Sequence, residues 1–287
     1  MDVPPIVDAD WVLARTDAAD PSATTGVVLA DVRWYLDGRS GREAFEAAHL
    51  PGAVFVDLDS DLSASGPPEA GRHPFPSPEH FAARLGALGL GPSATVIGYD
   101  DGGGGSAAAR LVWMLRILGR PAALLDGGVG AWTGPVEHGP GRVPAPLDVP
   151  VEPWPASWFV DHQGAADAGA RPDTVLLDAR ARDRFRGENE VVDPRAGHIP
   201  GARSAPWAEN VDPHAGRFRP DDELEARYRA LGVDDTTEVV AYCGSGVSAC
   251  TDLLVLEHLG LGHGRLFAAS WSGWSADPGR PLALGDE

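Results

Sequence analysis

The chain has 287 residues, 43% of them hydrophobic, which suffices for about two ordinary domains with packed cores. Its formal net charge of −19 argues against a nucleic-acid partner, because binding to phosphates needs surplus basic residues. All 23 basic residues are Arg, and the lack of Lys excludes Schiff-base chemistry.

The ends and the cysteines bear on where the protein works. Residues Met1 to Asp8 have neither a basic flank nor an apolar core, so we expect no secretory signal there. No uncharged apolar run approaches the roughly 20 residues that a membrane span needs. Two cysteines, Cys243 and Cys250, are too few for a disulfide framework, which favours a reducing compartment. We therefore expect a soluble, cytoplasmic protein.

The first half alternates short apolar strands with helical stretches. The predicted strands are Val27–Val32, Ala53–Leu58, Thr95–Tyr99 and Ala122–Leu125. One helix is predicted to begin at Pro78 with Ser77 as its N-cap, and another to run over Ala107–Leu118. This alternation predicts an α/β fold with a mostly parallel sheet flanked by helices. The Pro- and Gly-rich stretch from Pro135 to Pro150 predicts a linker over residues 135–155 between domains at 1–134 and 156–287.

The second half repeats the first. Four pairs of similar segments occur in the same order in both halves. ADWVL from Ala9 matches ASWFV from Ala156, and VLADVR from Val28 matches VLLDAR from Val175, both at an offset of 147 residues. HLPGA from His49 matches HIPGA from His198 at an offset of 149, and VIGYD from Val96 matches VVAYC from Val239 at an offset of 143. A fifth pair, Ala131-Trp132 with Gly273-Trp274, comes next in the same order. This self-similarity predicts two domains of the same fold in tandem.

The segment VVAYCGSGVSAC, from Val239 to Cys250, predicts a buried strand, a glycine-rich turn and the start of a helix that ends at Gly260. Cys243 lies where the strand becomes the turn. A thiol ringed by backbone N–H groups at the head of a helix should ionise easily, and the same groups can bind an anion. The first half has Asp100 at the matching position, and a carboxylate is no soft nucleophile. We therefore expect only the second domain to carry the chemistry.

The chain resembles the two-domain rhodanese-like sulfurtransferases in its tandem layout and in three motifs: HLPGA/HIPGA, RHPFP from Arg72 to Pro76, and CGSGVS from Cys243 to Ser248. The resemblance implies two tandem rhodanese-like domains. It also implies that a cysteine takes a sulfane sulfur from a donor, holds it as a persulfide and passes it to a thiol or cyanide. CGSGV followed by Ser or Thr is similar to the branch that uses 3-mercaptopyruvate, whereas thiosulfate-using members carry basic residues after the cysteine.

The resemblance also implies roles for particular residues. Cys243 would be the nucleophile, in a proton relay with Ser245 and with Asp59 of the first domain. The loop amides of Gly244, Gly246, Val247 and Ser248 would cup the persulfide, His73 would lie near the substrate, and Arg184 and Arg195 would bind the donor carboxylate. These two arginines belong to residues 171–203, which hold seven arginines and six acids. The branch usually places its second arginine nine residues after the first, whereas here the separation is 11.

Elements that recur in both halves indicate scaffold and not chemistry. Arg33 and Arg180 each follow a strand aspartate by two residues, and His49 and His198 occupy matching positions. Because the first half lacks the cysteine, a residue that it shares with the second half is predicted to be structural. Cys250 is predicted to pack within the helix.

Three alternative functions use a similar cysteine loop. A cysteine phosphatase would need an arginine where the chain has Ala249. A non-enzymatic persulfide carrier and a thiosulfate:cyanide sulfurtransferase share the same loop and stay open. No metal or organic cofactor is implied, since His and Cys show no ligand spacing. The expected partners are a small-molecule sulfur donor, a thiol or cyanide acceptor and, as a candidate, a thioredoxin-like reductant, with no nucleic acid and no membrane.

Overall fold

The structure, a computed structural model, describes residues 3–16, 26–103 and 106–286. Contacts divide the chain into two units, each built on its own sheet. Unit 1 comprises Met1–Ser63, Pro76–Trp154 and Asp212–Phe218. Unit 2 comprises Ala64–Phe75, Pro155–Val211 and Arg219–Glu287.

Unit 1 contains a five-stranded sheet in the order β1-β5-β4-β2-β3, and every strand pair in it is parallel. Its strands are β1 (Ile6–Val7), β2 (Val27–Asp31), β3 (Val54–Phe55), β4 (Thr95–Tyr99) and β5 (Ala122–Leu125). Its helices are α1 (Ala9–Thr16), α2 (Gly41–Ala47), α3 (Leu58–Asp61), α4 (Pro78–Ala87) and α5 (Ala107–Ile117), with a 3₁₀ turn at Gly128–Ala131. The sheet is buried on both faces, as its continuous apolar runs predict.

The predicted elements of unit 1 are found within one residue of their predicted bounds, apart from one strand end. Ser77 caps α4 by accepting the N–H of His80 at 3.2 Å. The predicted strand Ala53–Leu58 is wrong at its carboxyl end. Asp57 accepts the N–H of Ser60 at 2.8 Å and starts α3, because an N-cap carboxylate competes with further strand pairing.

Unit 2 has the same topology, with the parallel order β6-β12-β11-β7-β8. Its strands are β6 (Phe159–Val160), β7 (Thr174–Asp178), β8 (Arg203–Ser204), β11 (Glu238–Tyr242) and β12 (His263–Phe267). A separate two-stranded sheet within residues 211–218 pairs β9 (Val211–Asp212) with β10 (Arg217–Phe218). Its helices are α6 (His162–Ala170), α7 (Arg182–Arg186), α8 (Asp221–Ala230), α9 (Ala249–Leu259) and α10 (Ser270–Ala276), with 3₁₀ turns at Pro68–Ala70, Ala156–Trp158 and Trp207–Asn210. The matching strand orders confirm that the repeat in the sequence is a repeat of structure.

Each unit has a core of its own. In unit 1, Phe45, Ile97 and Tyr99 belong to a buried apolar cluster. In unit 2, Trp271 and Trp274 belong to the buried apolar cluster. Among the described residues, no helix combines the length and the apolarity needed to cross a membrane.

The residues predicted to be scaffold make the same contacts in both units. Arg33 donates to Asp31 at 2.6 Å and Arg180 donates to Asp178 at 2.6 Å. His49 stacks on Phe45 and His198 stacks on Phe185, and each ring Nδ1 lies 2.8 Å from the carbonyl oxygen of that same phenylalanine. Matching contacts in both units are what a shared structural role requires.

Candidate active site

Cys243 lies at the carboxyl end of β11, and the loop Cys243–Ser248 connects it to α9. The carbonyl oxygen of Cys243 accepts the N–H of Trp271 at 2.9 Å, and that of Gly244 accepts the N–H of Ser272 at 2.9 Å. These bonds commit the first two carbonyls of the loop to α10. Gly246 has φ +73°, a conformation in which a side chain would be strained, and it lets the loop turn back toward the helix.

The loop leaves N–H groups available beside the thiol. In the part of the chain that the structure describes, the N–H groups of Gly244, Val247 and Ser248 donate to no other group. They lie at the N-terminus of α9, an 11-residue helix whose dipole favours negative charge there. Only 2% of Cys243 is exposed. These amides would therefore stabilise a negatively charged sulfur atom, and their electrostatic attraction is stronger in a buried site than in water.

Ser270 positions the cysteine from the other side. Its hydroxyl accepts the N–H of Cys243 at 3.1 Å and donates to the carbonyl oxygen of Phe267 at 3.0 Å. Ser270 has φ +54°, rare for a residue with a side chain, and is fully buried. Strained backbone of this kind persists where the surroundings demand it. Ser270 is not predicted from the sequence, where its one local signal is that it directly precedes the segment WSGW, Trp271 to Trp274.

The structure pairs Ser245 with His73. The Nδ1 atom of His73 lies 2.8 Å from the hydroxyl oxygen of Ser245, and both residues are buried. This bond joins two residues that were each predicted near the site, but with no predicted contact to each other. A hydroxyl bonded to an imidazole can pass a proton in either direction, depending on the tautomer of the ring.

His73 belongs to the segment Ala64–Phe75, which is part of unit 2 although it precedes most of that unit in sequence. The segment closes on itself through the bond from Ala64 N–H to the carbonyl oxygen of Pro74, at 2.9 Å. Arg72 N–H donates to the hydroxyl of Ser272 at 2.9 Å. Gly71 has φ +84° and approaches Ala269 so closely that a side chain would collide with its carbonyl oxygen. The segment is therefore anchored against α10.

This anchoring brings a second arginine to the cysteine loop. A Cβ atom built on Gly244 would lie 3.1 Å from Nη2 of Arg72 and 3.7 Å from Nη1 of Arg184. Among the described residues neither of these two nitrogen atoms donates to another group, whereas the other Nη atom of each arginine binds Asp193. The two guanidinium groups thus present free donors next to Cys243. Arg184 is predicted from the sequence but Arg72 is not, although Arg72 begins RHPFP, one of the motifs that carry the resemblance.

Two buried carboxylates hold these arginines. Asp193 accepts from Arg72 at 2.6 Å and from Arg184 at 2.8 Å, and Glu190 accepts from Arg184 at 3.0 Å. Burial alone would raise the pKa of Glu190, but hydrogen bonds from Arg184 and from the amides of Asp193 and Val192 outweigh burial, and the pKa is lowered. Glu190 is therefore a carboxylate at neutral pH.

Two other predicted site residues make contacts within their own units. The guanidinium of Arg195 donates to the carbonyl oxygens of Asp277 and Arg280, at 2.9 and 3.0 Å. Arg72, and not Arg195, accompanies Arg184 at Gly244. Asp59 lies in α3 of unit 1, where its carboxylate accepts Nε1–H of Trp34 at 3.2 Å. The substrate contact of Arg195 and the relay role of Asp59 stay predictions.

Unit 1 fills its own equivalent loop with a carboxylate. Asp100, which matches Cys243 in the repeat, is 2% exposed and accepts N–H groups from Gly102 at 3.0 Å and Ser106 at 3.1 Å. Amides that could hold an external anion in this loop are thus occupied by a side chain from within it. The second cysteine, Cys250, is buried within α9, as predicted.

Comparisons with known proteins agree with this geometry. The sequence pattern of the rhodanese-like domain matches residues 8–135 and 161–277, and each range contains four of the five strands of one sheet, which confirms the predicted tandem fold. A Pseudomonas aeruginosa protein, provisionally named as a 3-mercaptopyruvate sulfurtransferase, is 43% identical over 98% of both chains. A Mycobacterium tuberculosis protein, provisionally named as a thiosulfate sulfurtransferase, is 37% identical over 98% of this chain and 97% of its own.

A solved structure is also similar to this chain. The crystal structure of SseA from Escherichia coli, described among 3-mercaptopyruvate sulfotransferases, superposes with a TM-score of 0.80 at 30% identity. The superposition covers 94% of this chain and 99% of that one.

Proposed function

Since the chain belongs to the rhodanese-like family, we propose that it is a sulfurtransferase that takes the thiol sulfur of 3-mercaptopyruvate, holds it as the sulfane sulfur of a persulfide on Cys243 and passes it to a thiol or cyanide. One observation carries the choice of donor. Two guanidinium groups, of Arg72 and Arg184, present unshared donors beside Gly244, next to the nucleophile. The carboxylate of the donor can accept hydrogen bonds from both guanidinium groups, one at each oxygen, or from a single guanidinium at both oxygens. Either geometry would bind the donor at the end opposite its reacting sulfur.

The first half-reaction needs no cofactor. The thiolate of Cys243 attacks the sulfur of mercaptopyruvate, an S–S bond forms and the C–S bond breaks. The electron pair of the broken bond leaves with the carbon fragment as the enolate of pyruvate. The proton from the donor thiol passes to that carbon, which gives pyruvate and a persulfide anion on Cys243. We propose that Ser245, bonded to His73, carries this proton, with Asp59 as a further member of the relay.

The persulfide anion is stabilised by the loop amides of Gly244, Val247 and Ser248, with Gly246 providing the turn that aims them. In the second half-reaction, cyanide attacks the outer sulfur and leaves as thiocyanate, which restores the thiolate. A dithiol of the thioredoxin type would reduce the persulfide instead, becoming a disulfide and releasing hydrogen sulfide. We propose such a reductant as the protein acceptor.

We propose that the reaction takes place in domain 156–287, together with the segment that carries Arg72 and His73. Domain 1–134 would be catalytically silent, with residues 135–155 as linker. The self-occupied loop around Asp100 supports that assignment, because a fixed carboxylate both lacks a thiol's nucleophilicity and repels an anionic donor.

The test is mass spectrometry of the protein after incubation with mercaptopyruvate and no acceptor. We expect one added sulfur on the peptide that contains Cys243, with one pyruvate released per chain. Cys243→Ser should gain no sulfur, while the matched control Cys250→Ser should gain it as the wild type does. Sulfur transfer by the Cys243→Ser variant would contradict the mechanism.

Thiosulfate is the second candidate donor, and the similarity to the Mycobacterium tuberculosis protein favours it. Against it, positions 244 and 245, directly after the cysteine, are Gly and Ser and supply no fixed charge for a dianion. The ratio of kcat/KM values for the two donors decides between them. A ratio in favour of thiosulfate would reverse our choice of substrate while leaving the persulfide chemistry intact.

A further inference from the structure

Asp193 joins the two arginines that face the cysteine loop. Its side chain is 1% exposed, with one carboxylate oxygen 2.6 Å from Nη1 of Arg72 and the other 2.8 Å from Nη2 of Arg184. Both oxygens are thus engaged by guanidinium groups. Asp193 binds one Nη atom of each arginine, and Glu190 also binds Nε and Nη2 of Arg184. The other Nη atom of each arginine is therefore held in a fixed direction, toward Gly244.

The pair belongs to a larger chain of ion pairs inside unit 2. Glu190 binds Arg184 at 3.0 Å and also Arg180 at 3.3 Å, and Arg180 in turn binds Asp178 at 2.6 Å. Three arginines and three acids alternate along this chain of ion pairs, in the order Arg72, Asp193, Arg184, Glu190, Arg180 and Asp178. The formal charge of this cluster is zero. The guanidinium groups beside the nucleophile therefore offer directed hydrogen bonds with little surplus positive charge.

This balance discriminates between donors of different charge. Mercaptopyruvate carries one carboxylate, whereas thiosulfate is a dianion. The Coulomb energy between a fixed charge and a donor is proportional to the donor's charge, so a buried carboxylate near the site opposes a dianion about twice as strongly as a monoanion. Specificity of this kind comes from a repulsive element as well as from an attractive one.

We propose that Asp193 determines donor specificity: it orients Arg72 and Arg184 for a carboxylate while cancelling one of their two charges, and so favours monoanionic over dianionic donors. This inference rests on the proposed function, because it assigns Asp193 a part in choosing the donor of the same reaction. Asp193 touches the arginines and is a positioning residue, not a catalytic one.

The experiment compares kcat/KM for mercaptopyruvate and for thiosulfate in four proteins: the wild type, Asp193→Asn, Asp193→Glu and Asp286→Asn. In a ping-pong reaction, kcat/KM for the donor reports the first half-reaction alone. Asp193→Asn removes the charge, Asp193→Glu keeps it, and Asp286→Asn removes the same charge from an exposed partner of Arg186 in the same unit.

We expect Asp193→Asn to raise the thiosulfate-to-mercaptopyruvate ratio about tenfold, because loss of one negative charge helps the dianion more. Asp193→Glu and Asp286→Asn should keep the ratio within about twofold of the wild type. Loss of orientation by itself would lower both kcat/KM values and leave their ratio unchanged, and that result in Asp193→Asn would overturn the proposal. If Asp193→Asn does not fold, a ratio in Asp193→Glu more than about fivefold from that of the wild type would overturn it. Failure of the proposed function looks different, since the wild type would then form no Cys243 persulfide with either donor.

Discussion

Gly246 tests whether the shape of the cysteine loop, and not only its cysteine, is needed for sulfur transfer. Its φ of +73° costs a residue with a Cβ atom about 1–2 kcal/mol. In addition, a Cβ atom on Gly246 would lie 2.5 Å from the carbonyl oxygen of Ala268 and 3.2 Å from its carbonyl carbon. Both are backbone atoms next to β12, so the loop has to move and the amides that face Cys243 move with it.

Gly260 provides the matched control for this substitution. It caps the other end of the same helix with φ +68°, and a Cβ atom built there meets no other atom within 4 Å. Gly260→Ala therefore carries the conformational cost without the steric clash. We expect it to lower Tm by a few degrees, as about 1 kcal/mol does in a chain of this size, and to leave kcat unchanged.

Gly246→Ala should lose stability by at least as much, and its kcat for sulfur transfer should fall about a hundredfold. That factor is typical of displacing reacting groups by about 1 Å or of losing one donor to a developing charge. The assay is pyruvate release with cyanide as acceptor, alongside thermal unfolding of both variants. A Gly246→Ala variant with kcat within about threefold of Gly260→Ala would refute the idea that the loop's backbone geometry stabilises the persulfide.

The remaining predictions concern charged groups in unit 2. Arg184→Ala should lower kcat/KM for mercaptopyruvate about 10- to 100-fold, chiefly by raising KM, because a charge-assisted hydrogen bond contributes about 1.5–3 kcal/mol. The control variant Arg186→Ala changes an exposed arginine on the same helix, α7, and should leave kcat/KM unchanged. Equal KM values for the two variants would remove Arg184 from the donor site. Burial raises the pKa of Asp252 to about 6 despite the opposing effects of Arg227, Asn210 and Tyr228. The folded state therefore holds this proton more tightly than the unfolded state, and stability is lost as pH rises from about 4 through 6. Asp252→Asn does not titrate and should not show this loss. The free energy of unfolding of the variant, measured with urea and taken relative to the wild type, should therefore rise by about 1 kcal/mol between pH 5 and pH 8. A difference that does not change with pH would contradict the shifted pKa.

Local sequence sufficed for much of the fold and for the strand–loop–helix unit that carries Cys243. The strands Thr95–Tyr99 and Ala122–Leu125 and the helix starting at Pro78 are predicted at their observed bounds, because apolar runs and N-caps are local signals. The one wrong strand end, after Phe55, arises where a capping aspartate competes with strand pairing. That competition depends on how the next residues pack, which the local pattern does not contain.

The residues around Cys243 are harder to predict, because they come from distant parts of the chain. Ser245 and His73 are 172 residues apart, and Arg72 and Asp193 are 121 residues apart. The arginine excess between residues 171 and 203 is visible in the sequence, but it does not reveal that Glu190 and Asp193 bind those arginines. Arg195 is closer in sequence to Arg184 than Arg72 is, yet sequence distance says little about proximity once a chain has folded.

The sequence by itself determined the features that depend on short-range pattern: the tandem α/β repeat, the strand–loop–helix unit that carries Cys243, and the glycine at the position of positive φ. Only the tertiary structure decided which charged groups meet at Gly244, and that their acids balance their arginines. Backbone conformation is governed by neighbours in the chain, whereas Coulomb and hydrogen-bond partners are chosen by neighbours in space.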